Sequence, residues 1–283
     1  SGPPIILNRH RPSSSSAVNA YANDVIIGLS SLRARRLGLD IRGLVVWDGK
    51  AAEGLGGTGH FANLCHEKVI PLSKISPKPA GQQTTSMASP PDLGTSVAPI
   101  ANEQVIHAIL MADVSGFSSL NEDQVMDFQN HYMGCVAEVI EEQPQAPLSS
   151  NTWGDALYLI FKTVEQAAGF ALDLQARLQS GRWKALGLPP KLSLRAALHA
   201  GPVFPVIDPV TQTRSFTGNH VTRAARMEPL VEPGQVYVSE EFAALLHLSP
   251  ASDRFQLLYV GRRSLPKKAG ELPLYHLQCR KIF

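Results

Sequence analysis

Cysteine is scarce: Cys65, Cys135 and Cys279 are the three thiols in 283 residues. Odd in number and widely spaced, they form neither a disulfide framework nor a metal-ligand pattern, which fits a reducing, cytoplasmic setting. Each reads as a small buried apolar residue. Excess charge is also missing. A net charge of +2 is too close to zero to argue for nucleic acid or an anionic membrane as partner. Long apolar runs are absent too; the longest candidates, such as Ala156 to Phe161, are strand-sized, well short of the ~18 residues a membrane span requires. Ser1-Gly2-Pro3-Pro4 shows no charged head followed by an apolar stretch, so no signal peptide is expected. What remains is the profile of a soluble globular protein, with 44% hydrophobic and 18% charged residues. Its length suits one large domain or two small ones.

The chain divides into three zones. From about Val18 to Ile75 the pattern runs helix, strand, Gly-rich turn, helix, strand. Val25, Ile26, Leu29 and Leu32 recur at helical spacing within Asn19–Leu37, and Arg33, Arg35 and Arg36 sit near its end, where cations suit the helix dipole. Gly43–Trp47 reads as a buried strand and Lys68–Leu72 as a second. Residues 1–75 are therefore expected to be a partial α/β segment, the tail of a larger domain. The Gly54–Gly59 turn between strand and helix reads as a tight turn ahead of a phosphate site, because Asp48 and Glu53 oppose an anion there. Residues 76–101, rich in Pro, Ser, Thr, Gly and Gln, are expected to be a flexible linker.

From Asn102 to Phe283 strands and helices alternate. Expected strands are Val105–Ala112, Ala156–Phe161, Leu192–His199, Pro202–Val206, Gln235–Val238 and Leu272–Leu277. Asn121 and Gln124 form a capping box for a helix whose apolar stripe is Val125, Phe128, Tyr132, Val136 and Val139. Further helices are expected over Val164–Leu178, Thr222–Leu230 and Glu240–Leu246.

Chemistry is concentrated in this third zone. In Leu110-Met111-Ala112-Asp113-Val114-Ser115-Gly116-Phe117 a strand ends in a carboxylate and enters a Gly-containing turn. Such a turn can aim backbone N–H groups at an anion while the carboxylate holds Mg²⁺ beside it. Asn151-Thr152-Trp153-Gly154-Asp155-Ala156-Leu157 offers a second carboxylate at a tight turn. Two such aspartates on adjacent strands would hold a pair of divalent ions for in-line phosphoryl chemistry. Taken singly, an Asp before a turn is as readily a local cap, and Gly116 and Gly154 ordinary turn glycines. Two later segments bear on that choice: Arg195-Ala196-Ala197-Leu198-His199-Ala200-Gly201-Pro202-Val203, and Gly218-Asn219-His220-Val221-Thr222-Arg223-Ala224-Ala225-Arg226-Met227-Glu228.

The order and spacing of these motifs resemble the class III adenylyl and guanylyl cyclase catalytic domain: D-x-x-G-F, G-D before an apolar strand, R-x-x-x-H-x-G-x-V, then G-x-x-V-x-x-A-A/S-R-x-E. Pro233–Ser239 and Lys267, ahead of Tyr275, also match, so the resemblance covers Asn102 to Tyr275. It implies an α/β fold of ferredoxin-like, α+β sandwich type over 102–283, behind a partial Rossmann-like and possible regulatory N-terminal segment. The implied reaction makes a 3′,5′-cyclic nucleotide and pyrophosphate from a nucleoside triphosphate, using two Mg²⁺ or Mn²⁺ ions per site.

Position by position, Asp113 and Asp155 match the two metal-binding aspartates, with the Val114 carbonyl as a further ligand. The backbone of Ser115, Gly116 and Phe117 would cradle the triphosphate. Arg226 matches the arginine that meets charge at the α-phosphate, and Lys267, or Lys268 beside it, the phosphate-binding lysine. Family sites lie between two subunits, so a homodimer with shared sites is expected. The chemistry requires no histidine base; His107, His131, His199 and His220 are read as structural, and Arg195 as a brace. Thr222 stands where the family places an asparagine that orients the ribose, and threonine reaches less far. Asn151 and Ser215 occupy the base-reading positions and match neither the adenylyl pair (Lys with Asp or Thr) nor the guanylyl pair (Glu with Cys). An uncharged pair can read adenine or a pyrimidine edge. ATP stands first, CTP and UTP close behind as in the pyrimidine cyclases of phage defence, and GTP last. The rival reading is a cyclase-homology module that binds without turnover; retention of Asp113, Asp155 and Arg226 opposes it.

Overall fold

The computed structural model describes residues 16–49, 56–77, 104–179, 181–267 and 269–280. The expected linker over 76–101 lies outside them apart from Ser76 and Pro77, as do Gly54, Leu55 and Lys268. Helix α1 (Ser16–Leu37) ends in Arg35 and Arg36 and leads to strand β1 (Gly43–Val46). Helix α2 (Gly57–Glu67) crosses to β2 (Leu72–Ile75), which runs parallel to β1 from Gly43↔Leu72 to Val46↔Ile75. The second strand therefore starts four residues later than Lys68. Lys68 to Ile70 instead close the end of α2, with Val69 at φ 56 and the Ile70 N–H donating to the Cys65 carbonyl.

The remaining elements build one sheet. They are β3 (Val105–Ser115), α3 (Glu122–Asp127), a π-helical turn (Phe128–Met133), α4 (Gly134–Glu141), β4 (Ser149–Trp153), β5 (Ala156–Phe161) and α5 (Val164–Leu178). There follow β6 (Ser193–Ile207), β7 (Arg214–Thr217), α6 (Asn219–Met227), β8 (Val236–Ser239), α7 (Glu240–Leu248), β9 (Phe255–Ser264) and β10 (Glu271–Cys279). The strand order is β4-β5-β3-β6-β8-β10-β9, with β7 paired to the far end of β6. Only β6 and β8 are parallel among these pairings. This is a mixed α/β architecture with an antiparallel-rich sheet, as expected from the sequence. Among the described residues no helix is long and apolar enough to cross a membrane.

Capping explains where the helices begin. Asn121 with Gln124, and Thr163 with Gln166, each form a reciprocal capping box, and the Ser239 hydroxyl accepts from the Phe242 N–H to start α7. The pleat then sorts side chains. Leu110, Ala112 and Val114 of β3 join Leu157 and Leu159 of β5 and Leu194, Ala196 and Leu198 of β6 under α4, α5 and α7. Ile109, Ile160, Val203, Phe216 and Ala224 pack on the opposite face, which α6 covers.

Four expectations change. Leu192–His199 and Pro202–Val206 are one strand, β6. Pro202 falls between the ladders to β8 (196–198) and β7 (204–207), so its missing N–H breaks neither. Val125 is exposed, because the π-helical turn adds a residue and rotates α3 out of line with the Phe128–Tyr132–Val136–Val139 stripe. Helix α6 begins at Asn219 and stops at Met227, with residues 228–230 tightening into a 3₁₀ turn around Pro229. Cys65 and Cys135 are buried, but Cys279 is exposed at the end of β10.

Helix α1 lies directly on α7. Tyr21, Val25, Leu29 and Ala244 form a small core with Leu32, Ile106 and Leu245. Gly28 sets how close the helices come, since a Cβ there would meet the Ala244 carbonyl oxygen at 2.4 Å. The Gly-rich turn serves the same packing: Gly56 takes φ 95, and a Cβ on it would meet Asn19 Cβ at 2.4 Å. Gly28→Val should therefore force α1 off α7. Overpacking of this kind costs about 1–3 kcal/mol, more than any gain in helix propensity returns. Urea denaturation should show a lower midpoint; an unchanged midpoint would mean that α1 does not dock as described.

Candidate active site

Strand register positions the first carboxylate. Asp113 sits directly opposite Arg195 in the β3–β6 ladder, and alternation places both on the α6 face rather than in the main core. The second comes from a two-residue turn. Trp153 pairs with Ala156, leaving Gly154 and Asp155 as the tip of the β4–β5 hairpin, with Gly154 at φ 64. Positive φ at the first central position is where such hairpins take glycine. The tip brings the Asp155 carboxylate beside Asp113 and the Val114 backbone. Burial, then the Asp113 charge, push the Asp155 pKa above the usual carboxylate range.

Two facing carboxylates with the Val114 backbone beside them make an all-oxygen donor set of the kind that suits Mg²⁺ or Mn²⁺. Among the described residues no group of three or more His, Cys, Asp or Glu side chains is placed to hold a metal ion, so an ion at this pair would take backbone, water or a bound anion as its remaining ligands. Immediately downstream, Ser115 ends β3 and Gly116 turns left-handed at φ 94 into the 3₁₀ turn Phe117–Ser119. Ser119 closes that turn on the Gly116 carbonyl, its hydroxyl donating at 2.7 Å. The Phe117 ring is anchored 4.8 Å from Phe128, which stacks on Tyr132. Phe117 thus holds the loop down with its side chain.

The cation on Asp113 is Arg195. It reaches Asp113 Oδ2 at 2.6 Å and Glu228 Oε1, just past α6, at 2.6 Å. Burial, then the Asp113 charge, raise Glu228, while Arg195 opposes the shift. Sequence reasoning made Arg195 a brace and gave Glu228 no role; the cross-strand pairing that joins them to Asp113 becomes visible only once the register is known. Among the described residues no ion pair joins Arg226 or Lys267 to either aspartate. Arg226 and Thr222 lie one turn apart on α6, half-buried and exposed respectively. Lys267 is exposed in the β9–β10 connection at φ 57.

Helix α6 is seated by a buried polar cluster. His199 is wholly buried, with Nδ1 2.7 Å from the Ser239 hydroxyl and Nε2 2.8 Å from His220 Nδ1. The rings stack at 5.1 Å, and the Tyr21 ring meets His220 edge-on. Arg223 of α6 donates to buried Glu241 at 2.9 Å. Burial holds His199 well below its ordinary pKa and pushes His220 down to about 3, so both rings are neutral. That is the structural role expected of them. Gly201 is obligatory beneath this stack, because a Cβ would meet His220 Nδ1 at 2.2 Å.

The two base-reading candidates lie near one another. Asn151 of β4 is exposed and pairs across to Tyr158, whose hydroxyl donates at 2.7 Å to the carbonyl of Phe216, the neighbour of Ser215. Ser149 bridges the same strands by donating to the Arg214 carbonyl.

The aspartate pair yields a stability test. Since the folded-state pKa of Asp155 is raised, its ionisation opposes folding above that pKa, and the penalty fades as pH falls below the ordinary carboxylate value of about 4. In metal-free protein at pH 7, Asp155→Asn should raise the melting temperature, with the gain shrinking toward pH 4. A lower melting temperature at pH 7 would show that the two carboxylates do not repel.

Comparison with known proteins bears on the family and the fold. The model for the adenylate and guanylate cyclase catalytic domain matches residues 101–278. No curated protein matches the chain. Among solved structures, the adenylyl cyclase CyaB from P. aeruginosa is 16% identical over 64% of this chain and 98% of its own, with a TM-score of 0.53. The guanylate cyclase domain of RhGC from Catenaria anguillulae, solved with GTP, is 18% identical over 62% of this chain and 97% of its own, with a TM-score of 0.51. An adenylate cyclase from Trypanosoma brucei is 19% identical over 61% and 89%, also at 0.51. At these identities the structures speak for the fold, and the family match for the reaction class. The chain belongs to the adenylate and guanylate cyclase catalytic domain family, whose members are nucleotidyl cyclases.

Proposed function

We propose that the protein is a homodimeric cyclase whose two sites are each shared between subunits, with ATP the leading substrate and CTP and UTP close behind. The observation that carries this is the convergence of Asp113 and Asp155, with no ion pair from Arg226 to either among the described residues. One subunit would supply Asp113, Asp155 and the Val114 carbonyl to two divalent ions, Mg²⁺ or Mn²⁺. Those ions would lower the pKa of the 3′-hydroxyl and neutralise the departing pyrophosphate.

The rest falls to the chain's own groups. The backbone of Ser115, Gly116 and Phe117 would orient the triphosphate so that the 3′-oxygen attacks the α-phosphorus in line with the leaving group. Arg195 would brace the Asp113 carboxylate from the opposite strand. From the partner subunit, Arg226 would meet charge on the α-phosphate, Lys267 the terminal phosphates, and Thr222 the ribose. Asn151 and Ser215 would read the base without charge. Lack of the Glu and Cys of the guanylyl pair at these positions supports ATP or a pyrimidine triphosphate over GTP, since an amide and a hydroxyl can read adenine or a pyrimidine edge. A pyrimidine cyclase in anti-phage signalling is the second reading that the same pair supports.

Mixing the two half-site variants tests the shared site. Asp113→Ala and Arg226→Ala chains should each be inactive, yet after subunit exchange a 1:1 mixture should recover about a quarter of wild-type activity. Half of the dimers are then mixed, and each mixed dimer has one intact site of two. No recovery after exchange has been demonstrated would place the whole site within one chain.

A further inference from the structure

A cavity of about 680 Å³ lies away from the aspartates, between the end of α1, α7 and the β9–β10 pair. We propose that it binds a nucleotide-type organic anion, a flat ring carrying a phosphate. Its volume falls within the usual range for small-molecule sites. Charge points to an anion. Arg33, Arg35 and Arg36 of α1 and Arg280 beyond β10 line it, and no carboxylate does among the described residues. Arg33 is held by Glu240 at 3.4 Å and Arg280 by Asp253 at 3.1 Å. Arg35 and Arg36 form no ion pair among the described residues, so the cavity holds at least two uncompensated guanidinium groups. The same field reaches His247 in the lining: burial, then the Arg35 and Lys68 charges, hold it below its ordinary pKa.

Shape points to a flat ring. Tyr259 and Tyr275 lie with centroids 5.4 Å apart, and the Arg36 guanidinium sits 5.1 Å from the centre of the Tyr259 ring. Planar guanidinium and phenol faces are the surfaces on which bases stack. Gln256 and Gln278 add neutral amides able to bond the ring's edge, and Leu32 and Leu257 complete the apolar floor. Cations in the last turn of α1 also suit its helix dipole, but that accounts for their charge and not for an aromatic-lined cavity beneath them. A fatty acid would satisfy the arginines while leaving the Tyr259 face and the Gln256 amide unused. Because α1 and α7 also border the cluster that seats α6, an occupant here would touch both helices that hold α6 in place.

The test reads binding rather than turnover, so it stands apart from the active-site reading. A fluorescent N-methylanthraniloyl AMP, titrated into the full chain in EDTA, should bind saturably in the micromolar range and be displaced by unlabelled AMP. Asp155→Asn should leave this binding unchanged, while Arg36→Ala and Tyr259→Ala should weaken it at least about tenfold, as expected for a lost charged or stacking contact. Far-ultraviolet circular dichroism and melting check each variant. If Tyr259→Ala unfolds, Arg35→Gln, an exposed position, carries the same expectation. Absence of saturable binding below about 1 mM, as for a site outside the usual ligand range, would overturn the proposal. So would binding unaffected by Arg36→Ala and Arg35→Gln, binding lost in Asp155→Asn, or displacement by oleate but not by AMP.

Discussion

Everything at the candidate site depends on the register between β3 and β6. The ladder runs from Val105↔Val203 to Ser115↔Ser193, and within it Asp113 faces Arg195. Because side chains alternate with period two, a slip of one residue would turn Asp113 into the main core and Leu110 and Ala112 toward α6. Burial of Leu110, Ala112, Leu194 and Ala196 on one face forbids that slip. The hydrophobic pattern therefore fixes the position of a charged group on the other face. Ionic contacts follow from it: Arg195 can bridge Asp113 and Glu228 because the ladder and the end of α6 converge there.

The second constraint is the seat of α6. A helix carrying the candidate residues Thr222 and Arg226 needs a rigid mount, and here the mount is polar and buried. His220 and Arg223 of α6 meet His199, Ser239 and Glu241 beneath the helix, and desolvation keeps both imidazoles neutral. Buried polar groups of this kind are costly when one partner is lost, so the cluster specifies a single position for the helix. Tyr21 of α1 touches the same cluster, its hydroxyl donating to the Ala200 carbonyl at 3.0 Å and its ring meeting His220. Arg33 adds an ion pair to Glu240 at the start of α7. The N-terminal helix is thus packed into the network that positions α6.

Much of this was legible in the sequence, and the limits are physical. The capping box at Asn121 and the stripe Phe128–Tyr132–Val136 are local signals, and the helix appears where those signals put it. The mixed α/β class and the cyclase family followed from ordered motifs. Strand β9 went unrecognised because Phe255–Ser264 is an exposed edge strand with little alternation, and β4 because only Ser149 in it is buried. Lys68–Leu72 looked like a strand by composition, but Lys68–Ile70 close the end of α2 and the strand begins only at Leu72. At the site, Asp113 and Asp155 could be picked out because each sits at a strand–turn boundary. Glu228 could not be joined to Asp113, since that contact spans 115 positions and exists only through Arg195 in the folded ladder. The α1–α7 contact left a fainter trace: Gly28 interrupts a helical pattern, and only the structure shows Ala244 against it.

The proposal that ATP or a pyrimidine triphosphate is cyclised rests on the Asp113–Asp155 pair and on the uncharged side chains of Asn151 and Ser215. The most direct measurement is to incubate the protein separately with ATP, CTP, UTP and GTP in the presence of Mn²⁺, identifying products by mass and quantifying pyrophosphate. The account predicts a 3′,5′-cyclic nucleotide with one pyrophosphate per turnover, ATP consumed fastest and GTP slowest. Triphosphates returned intact, or hydrolysed to monophosphates without cyclic product, would contradict the cyclase site. GTP turned over faster than the other three would contradict the reading of Asn151 and Ser215.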